Sequence, residues 1–485
     1  MNLCNINHSF NYELEKLCRI FLPYEKINIL SMVEPDSIYA VSTLKKEERL
    51  AVAELFWADK RFYHEQTLED DEDKTAELAL ASSLFRCFES ATGYTPEWGL
   101  LTGVRPVKLY SRLYNSIGKE KTDGYFKEKL FVSDEKISLC YATMEPEQGI
   151  VGNNSPDSFS LYVSIPFCPS RCSYCSFVSH SIDKAGKLID DYVKLLCKEL
   201  EKTAEIAKDR GLRLRTVYIG GGTPVALSAP QIEQVMKAIS DNFDLNGISE
   251  YTVEAGRPDA IDADKLRAIK NGGATRISVN PQTMNDSVLE AIGRRHTAAQ
   301  TEEAFRRARS LGFDNINMDL IAGLPTDTAE GFENTLKRVL ALDPESVTVH
   351  SLSVKKAANI SINNSLPEFE TGKTASRMVR HARGILTDRG IAPYYMYRQS
   401  KTVGNLENVG YAKSGYEGLY NVYIMDETHT ILACGASAVT KLRQPGGDYI
   451  ERIFNFKYPY EYISRFDEML ARKQGISDFY DRYPL

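Results

Sequence analysis

The sequence predicts an α/β protein, and three observations point to it. Between roughly residues 158 and 365, six short β-rich runs alternate with stretches of helical period. Gly, Pro or polar residues bound most of these runs, as they bound strands elsewhere. The residues best suited to chemistry collect just past the ends of the runs, where α/β sheets place their sites. Strands separated by helices pair in parallel with right-handed crossovers, either as an open doubly wound sheet or as a curled barrel.

Taken in order, the first 150 residues have a different texture from the core. Lys45–Trp57 and Asp73–Thr92 read as helices, and EPEQGIVGNNSPD at Glu145–Asp157 reads as a linker. The core strands are expected at Leu161–Phe167, Thr216–Gly221, Glu250–Gly256, Thr275–Pro281, Asn315–Ile321 and Ser346–Leu352, rich in Val, Ile, Tyr and Thr. Helical periodicity fills the intervals, at Leu188–Asp209, Pro230–Asn242, Ala263–Lys270, Gln300–Leu311 and Gly331–Leu342. A third region opens with a helix near Ala375–Leu386, and its segments PYYMYRQS, LYNVYIM and TILACGASAVTK look like strands. The expected division is an N-terminal extension (1–150), a core (158–365) and a C-terminal α+β region (366–485).

Composition excludes several function classes. With 43% hydrophobic and 26% charged residues, the chain reads as an ordinary globular protein. A net charge of -7 argues against a nucleic-acid partner. No apolar run approaches the roughly 20 residues needed to span a bilayer. The start, MNLCNINHSFNYELEKLC, lacks the basic-then-apolar pattern of a secretion signal, so a cytoplasmic protein is expected. The nine cysteines are odd in number and mostly scattered, which suits a reducing compartment better than a disulfide framework.

Three of those cysteines are not scattered. YVSIPFCPSRCSYCSF places Cys168, Cys172 and Cys175 in a CxxxCxxC pattern directly after the first core strand. Three thiolates on one short loop can each bond one iron of a four-iron cluster, leaving the fourth iron open to a ligand. A zinc site is the alternative; it wants four ligands, and His180 could be the fourth. Gly220-Gly221-Gly222-Thr223-Pro224 follows the second strand, either as a tight turn or as a backbone cradle for a ligand. Glu254, Gln282 and Asp319 stand at or just past the next three strand ends, where they would share one mouth. Carboxylates and amides there suit ribose hydroxyls and an adenine edge. Arg294 could pair with a carboxylate, or be a surface arginine.

With its aromatic Tyr174 just before the last cysteine, the motif resembles the radical S-adenosylmethionine (SAM) superfamily. YxxIPFC, GGGTP, Glu254, the run ending in Gln282, IGRRH and MDLIAGLP together resemble the oxygen-independent coproporphyrinogen III oxidase family, with an echo in GASA at Gly435–Ala438. EWGLLTGVRPVKLYSRLY at Glu97–Tyr114 looks like the extension of its HemZ-type members. The resemblance implies a partial six-stranded (β/α) barrel, one 4Fe–4S cluster on the three cysteines, and one or two SAM molecules. It further implies that Tyr162, Gly221, Gly222, Thr223, Glu254, Gln282, Arg294, Asp319 and Ser353 line the SAM pocket, with Tyr162 also a candidate catalytic residue. It implies a tetrapyrrole substrate covered by the C-terminal domain, and a low-potential electron donor such as flavodoxin or ferredoxin. The implied activity is oxidative decarboxylation of two propionates to vinyls; relatives that traffic haem or open its ring anaerobically share the barrel. Two positions depart from the decarboxylating members: Phe177 stands where they carry a fourth cysteine, and Ser164 where they carry a histidine. Tyr394, Tyr395, Tyr397, Arg398 and Lys401 could wall a macrocycle, or form a buried aromatic strand edge.

Overall fold

The computed structural model describes residues 1–32, 34, 36–175, 179–353 and 368–485, the side chains of 368–370 excepted. Contacts divide the chain into two compact units: Met1–Tyr141 with Pro367–Lys373 and Tyr397–Glu407, and the remainder.

In the first unit, β1 (Asn2–Ile6), β2 (Asn28–Leu30), β3 (Ile38–Lys45), β4 (Leu50–Trp57) and β5 (Lys60–Thr67) form a sheet in the order β2-β1-β3-β4-β5. The helices Asn11–Phe21 and Asp73–Thr92 bury Leu17, Phe21, Leu80, Phe85 and Phe88 with Leu3, Ala40 and Leu55 of the sheet in one core. The helix expected over Lys45–Trp57 is a turn followed by β4. Its Ala, Leu and Glu favour a helix locally, but antiparallel partners on both sides take up its backbone groups, and that pairing overrides propensity. The linker expected at Glu145–Asp157 is also shorter. A helix, Asp134–Val151, runs through Pro146, held by buried Leu139, Cys140 and Met144.

The larger sheet carries the cysteine motif and the strand-end residues singled out in the sequence. Its strands are β6 (Ser158–Ile165), β9 (Arg213–Gly221), β10 (Glu250–Val253), β11 (Arg276–Ser278), β12 (Ile316–Ala322) and β13 (Ser346–Ser351) in sequence order, all parallel. The helices Ile189–Asp209, Ala229–Asn242, Ala263–Asn271, Ala298–Ser310 and Ala329–Ala341 alternate with them. Two short strands, β7 (Phe167–Cys168) and β8 (His180–Ser181), bracket the cysteine loop. The six strands make the partial (β/α) barrel. C-terminal strands extend both its edges: β14 (Ala392–Arg398) and β15 (Glu407–Ala412) beside β13, and β16 (Thr430–Cys434), β17 (Val439–Arg443) and β18 (Ile450–Phe454) beside β6.

LYNVYIM, expected as a strand, is the helix Leu419–Asp426. The buried carboxylate of Glu250 receives its first amides, Leu419 N at 2.6 Å and Tyr420 N at 3.4 Å. A carboxylate at this end complements the helix dipole and its orphan donors. Tyr420 is thereby stacked on Tyr218, with ring centroids 4.4 Å apart. Among the described residues, no helix is long and apolar enough to cross a membrane.

Candidate functional site

The cysteine loop is tied down at several points. Ser173 N and Oγ both donate to Ile292 O, at 3.0 and 3.1 Å, and His180 N donates to Pro166 O at 2.9 Å. Cys168 and Cys172 are buried and Cys175 is half-buried. Burial pushes the Cys168 thiol up to about 11; a hydrogen bond with Ser179 and the Arg257 charge oppose this, while Cys175 and Cys172 add to it. The three sulfurs share one electrostatic neighbourhood, and three thiols on one short loop are the donor set an iron–sulfur cluster takes.

The glycine turn packs directly on this loop. Gly222 N donates to Ile165 O at 2.7 Å, and Thr223 N to Phe167 O at 2.9 Å. A Cβ on Gly222 would stand 2.4 Å from Phe167 O and 2.9 Å from Cys168 Sγ, so only glycine fits. Gly221 has φ +107°, a backbone region open to glycine.

Polar side chains line the strand ends within. The Tyr218 hydroxyl donates to Glu254 Oε1, and Asn280 Nδ2 donates to Glu254 Oε2 at 3.2 Å. Asn280 Oδ1 accepts from Asp319 N at 3.3 Å, and Asn317 Nδ2 donates to the Asp319 carboxylate at 2.7 Å. His350 Nε2 lies 3.7 Å from Asp319 Oδ2. Burial and the Asp319 charge raise the Glu254 carboxyl. Burial also acts to raise Asp319, but hydrogen bonding and the charge of His350 outweigh it and hold Asp319 low. Burial likewise works against the His350 cation, and Asp319 reverses the sign, so His350 is raised.

The structure brings most of the expected positions to this mouth. Gln282 has φ +66°, donates its amide N–H to Asp319 O at 2.9 Å and accepts from Ile321 N at 3.0 Å. Its Oε1 is buried without a hydrogen-bond partner among the described residues, which suits an acceptor waiting for a ligand donor. Tyr162 lies on β6 and stacks with Tyr218 and Tyr420 at 6.2 and 6.1 Å; burial raises its hydroxyl to about 12. Ser353 sits half-buried just past β13. Arg294 is not on the surface: Nη2 and Nε donate to Tyr174 Oη at 3.0 and 3.2 Å, and Nη1 to Asn280 O at 2.9 Å. Ser164 is buried, its carbonyl accepting from Tyr192 Oη at 2.7 Å; Phe177 lies outside the described residues. Gly435 of the GASA turn donates to the buried Glu199, which pairs with Lys473 at 2.8 Å. Tyr394, Tyr395 and Arg398 are buried, and the Arg398 guanidinium is taken up by Leu101 O, Gly103 O and Asn405 O.

Sequence reasoning missed Arg257, Asn280, His350 and Tyr420. The signals were weak: Asn280 follows Arg276 and Ser278 at the inward period of two, and Arg257 sits in the string EAGRPD after Glu254. Tyr420 could not be found, because its place depends on a carboxylate 170 positions away.

A cysteine loop after the first strand of a partial (β/α) barrel, with a glycine turn against it and polar strand ends around it, defines a radical SAM protein. The Radical SAM superfamily model matches residues 162–339. The chain is 35% identical over 417 residues, 85% of this chain and 83% of that protein, to the oxygen-independent coproporphyrinogen-III oxidase-like protein HemZ of Bacillus subtilis (strain 168). It belongs to that oxygen-independent coproporphyrinogen III oxidase-like family of radical SAM proteins, whose cofactors are one 4Fe–4S cluster and SAM. It is also 40% identical over 197 residues to the heme chaperone HemW of Bacillus subtilis (strain 168), covering 40% of this chain and 51% of that one. The solved coproporphyrinogen III oxidase HemN of Escherichia coli shares the fold, with a TM-score of 0.50 and 24% identity over 66% of this chain and 72% of that one.

Proposed function

We propose that the chain is an anaerobic coproporphyrinogen III dehydrogenase, converting two propionates to vinyls and giving protoporphyrinogen IX. The observation that supports this reading is the packing of the Gly222 turn on the cysteine loop, with Glu254 held by Asn280 and the partnerless buried Gln282 Oε1 at neighbouring strand ends. Bound at the loop, the cluster and SAM would supply radical abstraction of hydrogen from the β-carbon of a propionate; the carboxylate would then leave as CO₂ and one electron would pass to a one-electron acceptor.

The chain's own part is to hold, orient and shield. Cys168, Cys172 and Cys175 would ligate the cluster, and the burial of Cys168 and Cys172 would shield it from water on their side. Gly221, Gly222 and Thr223 present backbone to the amino group of the SAM methionine. Glu254, Gln282 and Asp319 meet its ribose and adenine, and Glu254 arrives pre-oriented because Tyr218 and Asn280 already hold its two oxygens. Arg294 and Ser353 complete the pocket, Arg294 by fixing Tyr174 beside the cysteines. Tyr162 forms the floor with Tyr218 and Tyr420. The C-terminal region (366–485) covers the tetrapyrrole, and a flavodoxin- or ferredoxin-like donor provides the electron.

The test is anaerobic. Reconstituted protein with reductant, SAM and coproporphyrinogen should release CO₂ and protoporphyrinogen. SAM cleavage without either product would overturn the assignment and leave the radical SAM class intact. A second reading is a haem chaperone, supported by the similarity to HemW and by Ser164 in place of a histidine. Stoichiometric haem binding with transfer to an apo-cytochrome, and no porphyrinogen turnover, would favour it.

A further inference from the structure

Arg257 has no part in the pocket described above, yet it is one of the most constrained cations in the barrel. It is 4% exposed, and Asp259 holds it bidentately, Nε to Oδ1 at 2.9 Å and Nη2 to Oδ2 at 2.8 Å. The guanidinium is thus a fixed fork rather than a roaming charge. Its free edge is turned to the cysteine loop: Nη1 donates to Ser170 O and Nη2 to Ser170 Oγ, each at 2.9 Å. The same Nη1 lies 3.8 Å from Cys172 Sγ, within hydrogen-bond reach of sulfur. Arg294, the other buried arginine at the loop, spends its donors on Tyr174 Oη and on carbonyl groups.

We propose that Arg257 is a positioning residue for the iron–sulfur cluster, clamping the loop through Ser170 and donating an N–H to the Cys172 sulfur so that the cluster is easier to reduce. The inference rests on the reading of Cys168, Cys172 and Cys175 as cluster ligands. The step affected is the uptake of one electron by the oxidised cluster from a low-potential one-electron donor, with no bond made or broken. Reduction adds negative charge that spreads onto the sulfurs. A cationic N–H donor aimed at one of them stabilises the reduced form more than the oxidised form, in a buried setting where water screens little. Asp259 offsets part of the charge but leaves the N–H directed at sulfur.

The experiment compares wild type with Arg257→Gln and Arg257→Lys, each reconstituted anaerobically. Iron and sulfide per chain are measured first, then the cluster is titrated electrochemically and followed by electron paramagnetic resonance. Arg257→Gln is expected to lower the reduced-to-oxidised ratio at a fixed potential by about tenfold, a shift of about 59 mV for a one-electron couple, and Arg257→Lys by less. Full iron content with an unchanged midpoint in both variants overturns the proposal. If Arg257→Gln folds normally but fails to load iron, the clamping half is supported, and Arg257→Lys decides the other half. Should wild type itself bind no four-iron cluster, the cluster reading fails instead, and the iron count tells the two failures apart.

Discussion

Replacing Gly222 with alanine tests the junction on which the site depends. The new Cβ would stand 2.4 Å from Phe167 O and 2.9 Å from Cys168 Sγ, where ordinary contact begins at 3.4 Å, so roughly 1 Å must open between the turn and the loop. Neither obstacle is the end of a flexible side chain: one is strand backbone, the other the buried sulfur of Cys168. Overpacking of this kind costs about 1–3 kcal/mol. The effect on chemistry is larger, because a displacement of about 1 Å in a reacting geometry costs about a hundredfold in rate. The assay is reductant-dependent cleavage of SAM to 5′-deoxyadenosine, normalised to bound iron. Gly222→Ala should bind less iron and cleave SAM about a hundredfold more slowly per cluster. Gly384→Ala is the matched control: it lies in the helix Glu368–Asp388, and an added Cβ there meets nothing within 4 Å. It should leave cleavage unchanged and stabilise the fold by about 0.5–1 kcal/mol. Wild-type iron content and cleavage in Gly222→Ala would refute the packing of turn against ligand loop.

Other consequences follow from the same geometry. Cys172→Ala should remove the visible charge-transfer absorbance of the reconstituted cluster; an unchanged spectrum would show the ligand set to be wrong. Tyr218→Phe leaves Glu254 without one donor, and equilibrium SAM binding should weaken by about 1.5–3 kcal/mol, as for a hydrogen bond to a charged group. Lys473→Met strands the Glu199 charge, both groups being 1% exposed or less, and should cost about 3–5 kcal/mol in thermal unfolding, part of which Glu199→Gln in the same chain recovers. His350 is raised by Asp319, so its stabilisation is full below about pH 6.5 and is lost as pH rises through the raised value. Asp319 is held low, so its share is present above about pH 3.9 and is lost as pH falls through its own value. The unfolding midpoint of wild type should therefore exceed that of His350→Gln most between about pH 4 and 6.5, and a difference that grows on the alkaline side would contradict the pairing.

Local order was legible in the sequence wherever the signal was local. The alternation of runs and helices, the spacing of Cys168, Cys172 and Cys175, and the glycines at 220–222 all act over a few residues, and their periods and turn chemistry can be read without knowing what lies opposite. The failures came where a partner elsewhere decided. Leu50–Trp57 could be helix or strand until β3 and β5 flanked it, and Leu419–Asp426 became a helix because Glu250 caps it. The sequence by itself determined the class of fold, the place of the cysteine loop after the first core strand and the strand-end positions. Only the tertiary structure decided which inward side chains meet: Tyr218 with Glu254, His350 with Asp319, and Arg257 with Cys172. Parallel register and loop closure bring such pairs together across 31 to 85 positions, and no short window of sequence records that distance.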